Sequence, residues 1–166
     1  LPDTVSGNTL SLEDVQGEKG TVVMFLCNHC PFVIYVNEEV INLAEHYQQH
    51  GVGFVAISSN DVEKYPADAP DKMTIHAKTV GYNFPYLYDE SQAVAKAYDA
   101  ACTPDFYIFD TEGKLYYRGR LDRSRPGNSE PLNGEDLRAA INSMMAGQAA
   151  PESQYPSAGC NIKWKA

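Results

Sequence analysis

The chain has 166 residues, 43% hydrophobic and 21% charged, with a formal net charge of −9. That composition fits one globular domain with a sizeable core, and its acidity argues against nucleic acid and anionic membrane as partners. No apolar run approaches the roughly 20 residues of a membrane span, and the four cysteines are too few for a disulfide scaffold, so they are read as chemistry.

Residues 1–20 alternate turn and strand signals. Ser6-Gly7-Asn8 is a turn, Thr9-Leu10-Ser11 a short strand, and Gly17 to Gly20 a break. Thr21 to Leu26 is apolar or β-branched without a charge, the pattern of a strand buried on both faces. From about Phe32 the apolar residues Val33, Val36, Val40, Ile41, Leu43, Ala44 and Tyr47 predict a helix, closed at His50-Gly51 by a left-handed cap. Val52 to Ser58 is a second buried strand. Ser58, Ser59, Asn60 and Asp61 stand at its C-terminal end, the end that faces the site in open α/β sheets.

Tyr65 to Asp71 is rich in proline and acid and reads as a loop. Asp71 is expected to cap a helix running to about Val80 and ended by Gly81. Phe84 to Tyr88 is extended, and Ser91 caps a short helix through Tyr98. Phe106 to Phe109 and Leu115 to Tyr117 flank Asp110-Thr111-Glu112-Gly113, a hairpin signal. Arg118 to Asn133 is a polar loop, followed by a helix from about Glu135 to Met145. The last stretch ends Gly159-Cys160-Asn161-Ile162-Lys163-Trp164. Its Ile162 and Trp164 alternate with lysines, as in a docked extended segment. The expected organisation is a domain over 1–148 with a tail, 149–166, packed on it.

The chain is organised around Cys27-Asn28-His29-Cys30-Pro31, where the first buried strand ends and a helix begins. Unpaired N–H groups and the macrodipole of a helix N-terminus favour negative charge. A thiolate is stabilised there, and the thiolate is the reactive form. Pro31 suits a first helical turn. Two cysteines two residues apart between strand and helix are a redox signal. On this reading Cys27 has the depressed pKa and attacks, while Cys30 resolves.

The order of elements and several motifs resemble the thioredoxin fold in its alkyl-hydroperoxide-reductase/thiol-specific-antioxidant (AhpC/TSA) branch, and within it a peroxiredoxin-like group with Cys-Asn-His-Cys. Leu1-Pro2-Asp3 with Gly7, Leu12 and Gly17 is similar to that branch's N-terminal β-hairpin, and Cys27 to Pro31 fall at its active-site position. Ala101-Cys102-Thr103-Pro104 fall at its cis-proline. Asn60-Asp61, Phe84-Pro85-Tyr86-Leu87, Cys102-Thr103-Pro104-Asp105 and the Gly159 to Trp164 segment resemble the narrower group. The resemblance implies an α/β class: a central mixed sheet flanked by helices, with a β-hairpin extension at the N-terminus. It also implies that Thr103–Pro104 is cis and packs on the cysteine pair, and that Thr103 offers backbone groups to an extended substrate chain.

The implied activity is thiol–disulfide exchange through Cys27 and Cys30, supported by Asn28, His29, Thr103 and Pro104, with no cofactor and no metal. By resemblance to the Cys-Pro-His-Cys oxidants, His29 stabilises the reduced form. The partners are a protein or small-molecule disulfide and a thiol that resets the pair.

Two other readings stand beside this one. In a thiol peroxidase, peroxide would be reduced at Cys30 or Cys27. Such enzymes carry Thr or Ser three residues before the peroxide-reducing cysteine, and here Cys27 takes that place. In a metallochaperone, Cys27, Cys30 and His29 would hold Cu(I). Cys102 and Cys160 are a candidate second redox pair. Because the chain opens Leu1-Pro2, a missing signal peptide carries no weight, and a cytoplasmic home is the working expectation.

Overall fold

A computed structural model describes residues 1–166. Its centre is a mixed sheet of five strands: β1 (Gly20–Phe25), β2 (Val52–Ser58), β3 (Tyr86–Tyr88), β5 (Asp105–Phe109) and β6 (Leu115–Gly119). They lie in the order β3-β2-β1-β5-β6. β1, β2 and β3 run parallel, while β5 is antiparallel to β1 and to β6. Two short strands, β4 (Cys102–Thr103) and β7 (Cys160–Asn161), pair separately and antiparallel.

Every residue of β1 is buried, as its uncharged sequence requires. Val22 and Met24 lie on one face with Val33, Val36 and Val40 of α2 (Pro31–Gln48), and with Leu137 and Ile141 of α5 (Glu135–Met145). Val23 and Phe25 lie on the other, with Val55, Ile57, Tyr107 and Ala95 of α4 (Ala93–Ala97). This alternation is the two-residue period of a strand. It anchors the end of β1, and hence Cys27, from both sides.

The remaining elements correct details. Leu10 and Ser11 lead into a single helical turn, α1 (Leu12–Val15), and only isolated bridges such as Pro2↔Thr9 give the N-terminal segment its hairpin character. α3 (Pro70–Val80) starts at Pro70 with Ala69 as its N-cap, so Asp71 lies in the first turn and does not cap it. Gly81 ends α3 in a left-handed conformation, φ 89°, as expected of a residue without Cβ. α4 is shorter than the Ser91–Tyr98 expected, because Gln92 takes a left-handed φ of 66° and delays its start. No helix is long and apolar enough to cross a membrane.

The tail runs back across the domain. Thr103 pairs with Cys160 and Cys102 with Asn161, and the Ile162 N–H donates to Ala101 O (3.0 Å). The Asp61 N–H donates to Lys163 O at 2.8 Å, and Asn60 Oδ1 accepts the Lys163 N–H at 2.9 Å. Ile162 is 3% exposed, whereas Trp164 is 40% exposed.

Candidate active site

β1 carries Cys27 to the C-terminal edge of the sheet, and α2 begins immediately after Cys30. Cys30 is the N-cap of this 18-residue helix and Pro31 its first residue. Thr103 comes from β4 on the opposite side and meets both thiols. Its Oγ1 lies 3.4 Å from Cys27 Sγ, and its carbonyl accepts from Cys30 Sγ at 3.5 Å. The Thr103–Pro104 peptide bond is cis. Thus Cys27, Cys30, Thr103 and Pro104 come together.

The electrostatics lower the Cys30 thiol and raise the Cys27 thiol, the opposite of the order of pKa values expected of the pair. Cys30 is held down to about 4, first by the hydrogen bond from Cys27, which outweighs burial, and next by the Cys160 side chain. Cys27 is pushed up, first because its proton is shared toward Cys30, then by burial. The Asp68 carboxylate adds to this. Reading the chain put Cys27 at the helix start, but the turn Asn28-His29 intervenes and Cys30 occupies the N-cap. The Cys30 carbonyl accepts the Val33 and Ile34 N–H groups at 3.0 Å each, and the macrodipole of α2 acts on the Cys30 sulfur. Cys27 is 1% exposed and Cys30 is fully buried.

Asn28 and His29 make no hydrogen bond to either thiol, though a His29 ring nitrogen lies within 4.8 Å of Cys27 Sγ. They fasten the turn to Asp68, a fully buried carboxylate. The Asn28 N–H donates to Asp68 Oδ1 at 2.9 Å, and Asn60 Nδ2 donates to Asp68 Oδ2 at 2.9 Å. Asn28 Nδ2 donates to Ala67 O (2.9 Å) and Asn28 Oδ1 accepts from the Tyr86 hydroxyl (2.8 Å). His29 Nδ1 stands 2.7 Å from Asp68 Oδ2, off the line of a well-formed hydrogen bond, so the contact is an ion pair only when the ring is protonated. The His29 ring stacks on Tyr65 with centroids 5.9 Å apart.

Asp68 is the site residue that reading the sequence missed. It lies in a Pro-rich loop forty residues from the turn it holds, and nothing local marks it. One of its carboxylate oxygens, Cys27 Sγ and a His29 nitrogen lie within 4.8 Å of one another. That donor set contains a hard carboxylate, which suits Cu(I) poorly, and differs from the Cys27, Cys30 and His29 set expected of a copper carrier.

Cys102 and Cys160 are not brought together as a pair. Residues directly opposite in an antiparallel ladder share a face, so Cys160 lies on the face of Thr103 and Cys102 on the other. Cys102 Sγ instead points to the carbonyls of Pro104 (3.6 Å) and Ser157 (3.7 Å), and burial raises its pKa to about 12. The edge of β4 expected to receive a substrate chain is already paired with β7. Arg118, Arg120 and Arg123 are engaged in ion pairs with neighbouring carboxylates.

The sheet order, the cis-proline beside a strand–Cys-x-x-Cys–helix junction and the surrounding helices define a thioredoxin-like protein. The AhpC/TSA family profile matches residues 1–118, and the chain belongs to that family. An uncharacterized conserved protein from Geobacillus kaustophilus is 57% identical, with a TM-score of 0.97 over 99% of this chain and 87% of its own. A hypothetical protein from Sinorhizobium meliloti is 44% identical, with a TM-score of 0.96 over 100% of this chain and 90% of its own. A secreted Mycobacterium tuberculosis disulfide oxidoreductase shares the fold at 18% identity, with a TM-score of 0.62 over 85% of this chain and 92% of its own. No curated protein matches the chain.

Proposed function

We propose that the protein is a thiol–disulfide oxidoreductase working through Cys27 and Cys30. The observation that carries this reading is the pair itself: Cys30 at the N-cap of α2 with a depressed pKa, Cys27 sharing its proton with it, and Thr103 bridging both. The Cys30 thiolate attacks one sulfur of a substrate disulfide. A mixed disulfide forms, and the other substrate sulfur leaves as a thiolate. Cys30 has then lost its charge, and with it the main influence holding the Cys27 proton. Cys27 gives that proton to the departing thiolate and attacks Cys30 Sγ. The products are the Cys27–Cys30 disulfide, one substrate thiol and one substrate thiolate, which takes its proton from solvent. The reverse sequence oxidises a dithiol.

The test is catalysed reduction of a protein disulfide, such as those of insulin, with dithiothreitol as the source of electrons. Turnover should be lost in Cys30→Ser and in Cys27→Ser. Activity that survives both substitutions would rule out the pair as the reacting group.

One observation favours a second reading, a thiol peroxidase. The low-pKa thiol is Cys30, the position that the family resemblance gives to the peroxide-reducing cysteine. The position three residues earlier is still Cys27, and S–H is a weak donor to a breaking O–O bond. Rapid, saturable hydrogen peroxide consumption that needs Cys30 and not Cys27 would favour this reading over exchange.

A further inference from the structure

We propose that Cys160 is a third redox thiol, which exchanges with the Cys27–Cys30 disulfide at Cys30 and so carries it between the buried pair and the surface. The inference rests on the oxidoreductase reading above.

Three observations place Cys160 for this. It lies opposite Thr103 in the β4–β7 ladder, on the face whose Thr103 groups touch both Cys27 and Cys30. Its side chain packs against the core cluster that contains Cys27 and Cys30, and it lowers the Cys30 thiol while Cys30 raises its own. Finally, Cys27 and Cys30 are closed to solvent, while Cys160 is only half-buried. Of the three thiols, Cys160 is the one most accessible to a substrate.

The tail is held closely but not covalently. A Cβ on Gly159 would lie 2.1 Å from Thr103 O, so only glycine lets the chain pass this near the site. The segment beyond is fixed by backbone hydrogen bonds and by Ile162. Such contacts hold Cys160 beside the site.

The step balances without an added oxidant. Cys160 sulfur attacks Cys30 Sγ, the Cys30–Cys160 bond forms, and the Cys27–Cys30 bond breaks. Cys27 leaves as a thiolate and takes up the proton that Cys160 lost. The number of disulfides is unchanged, and the new one joins the tail to the helix start. An incoming dithiol then reduces it at Cys160. In the reduced protein burial, with the neighbouring Cys30, raises the Cys160 thiol to about 11. Oxidation of Cys30 removes the second of these causes.

The test oxidises the full chain with one equivalent of diamide, quenches in acid, alkylates free thiols and maps disulfide-linked peptides. The wild type should yield both Cys27–Cys30 and Cys30–Cys160, and Cys27→Ser should yield Cys30–Cys160 as the main species. In Cys160→Ser the Cys27–Cys30 disulfide should still form, while protein-disulfide reduction slows by about tenfold or more. Overturning results are absence of Cys30–Cys160 from wild type and Cys27→Ser alike, linkage of Cys160 to Cys102, or an unchanged rate in Cys160→Ser. Each of these leaves the oxidoreductase reading standing. Absence of the Cys27–Cys30 disulfide from every sample would remove that reading as well.

Discussion

On the proposed mechanism the chemistry turns on Cys30, because a fully buried sulfur keeps a negative charge only where donors surround it. The thiols of Cys27 and Cys160 are the main ones. The reduced protein should therefore show thiolate absorbance near 240 nm that disappears only as pH falls through about 4. Cys30→Ser should abolish that step; a step that persists in the variant would assign the thiolate elsewhere. The same shift fixes a stability trend. The unfolded thiol titrates near about 8.5. A pKa lowered on folding stabilises the reduced protein fully above that value, and the gain is lost as pH falls through about 4. Cys27, displaced upward, stays protonated in both states across this window and adds nothing to the trend. Denaturation of the reduced form should show falling stability between those limits, and the oxidised form should not share it.

Asp68 is structural in a different sense. Its carboxylate satisfies the Asn28 N–H and Asn60 Nδ2 in a buried place. Asp68→Ala leaves both donors unpaired and should cost about 3 kcal/mol in urea denaturation. A change under about 0.5 kcal/mol would show that water or a rearranged loop replaces the carboxylate.

At the scale of elements, the site is a meeting of β1, α2, β4 and β7. β1 and α2 were legible because uncharged β-branched runs and helical apolar spacing are local patterns. So was the helix Glu135–Met145, which agrees residue for residue. The placement of the two sulfurs was less legible, because it depends on whether the helix begins at Cys27 or three residues later. That is a boundary question that composition does not decide. Asp68 and the pairing of β7 with β4 were not legible, since both are contacts between residues forty or more positions apart. The tail's alternation did mark Ile162, but the register that sets Cys160 rather than Cys102 beside the thiols belongs to the ladder alone. Gly159 probes this element directly. Gly159→Ala should push β7 off β4, because the clash is with the Thr103 backbone and not with a side chain that can turn aside. Hydrogen exchange should then lose protection at Ile162 and Lys163, and alkylation of Cys30 should become faster. Unchanged exchange at both amides would mean that the tail is not held through this contact.

At the scale of the whole molecule, a thioredoxin-like sheet places a low-pKa thiol at a helix start and then covers it with the chain's own tail. An acidic surface, a net charge of −9, adds solubility but no selectivity for a partner that the site itself defines. The thiolate stabilisation at Cys30 favours the reduced pair, and a stabilised reduced form makes the corresponding disulfide more oxidising. The measurement that tests the account most directly is equilibration of the protein in glutathione buffers of graded redox poise, with the Cys27–Cys30 disulfide quantified by acid quench and mass mapping. The account predicts a reversible two-electron transition of that pair at a potential less negative than the about −270 mV of thioredoxin. A pair that stays dithiol across the range, or one that oxidises only below that potential, would contradict it.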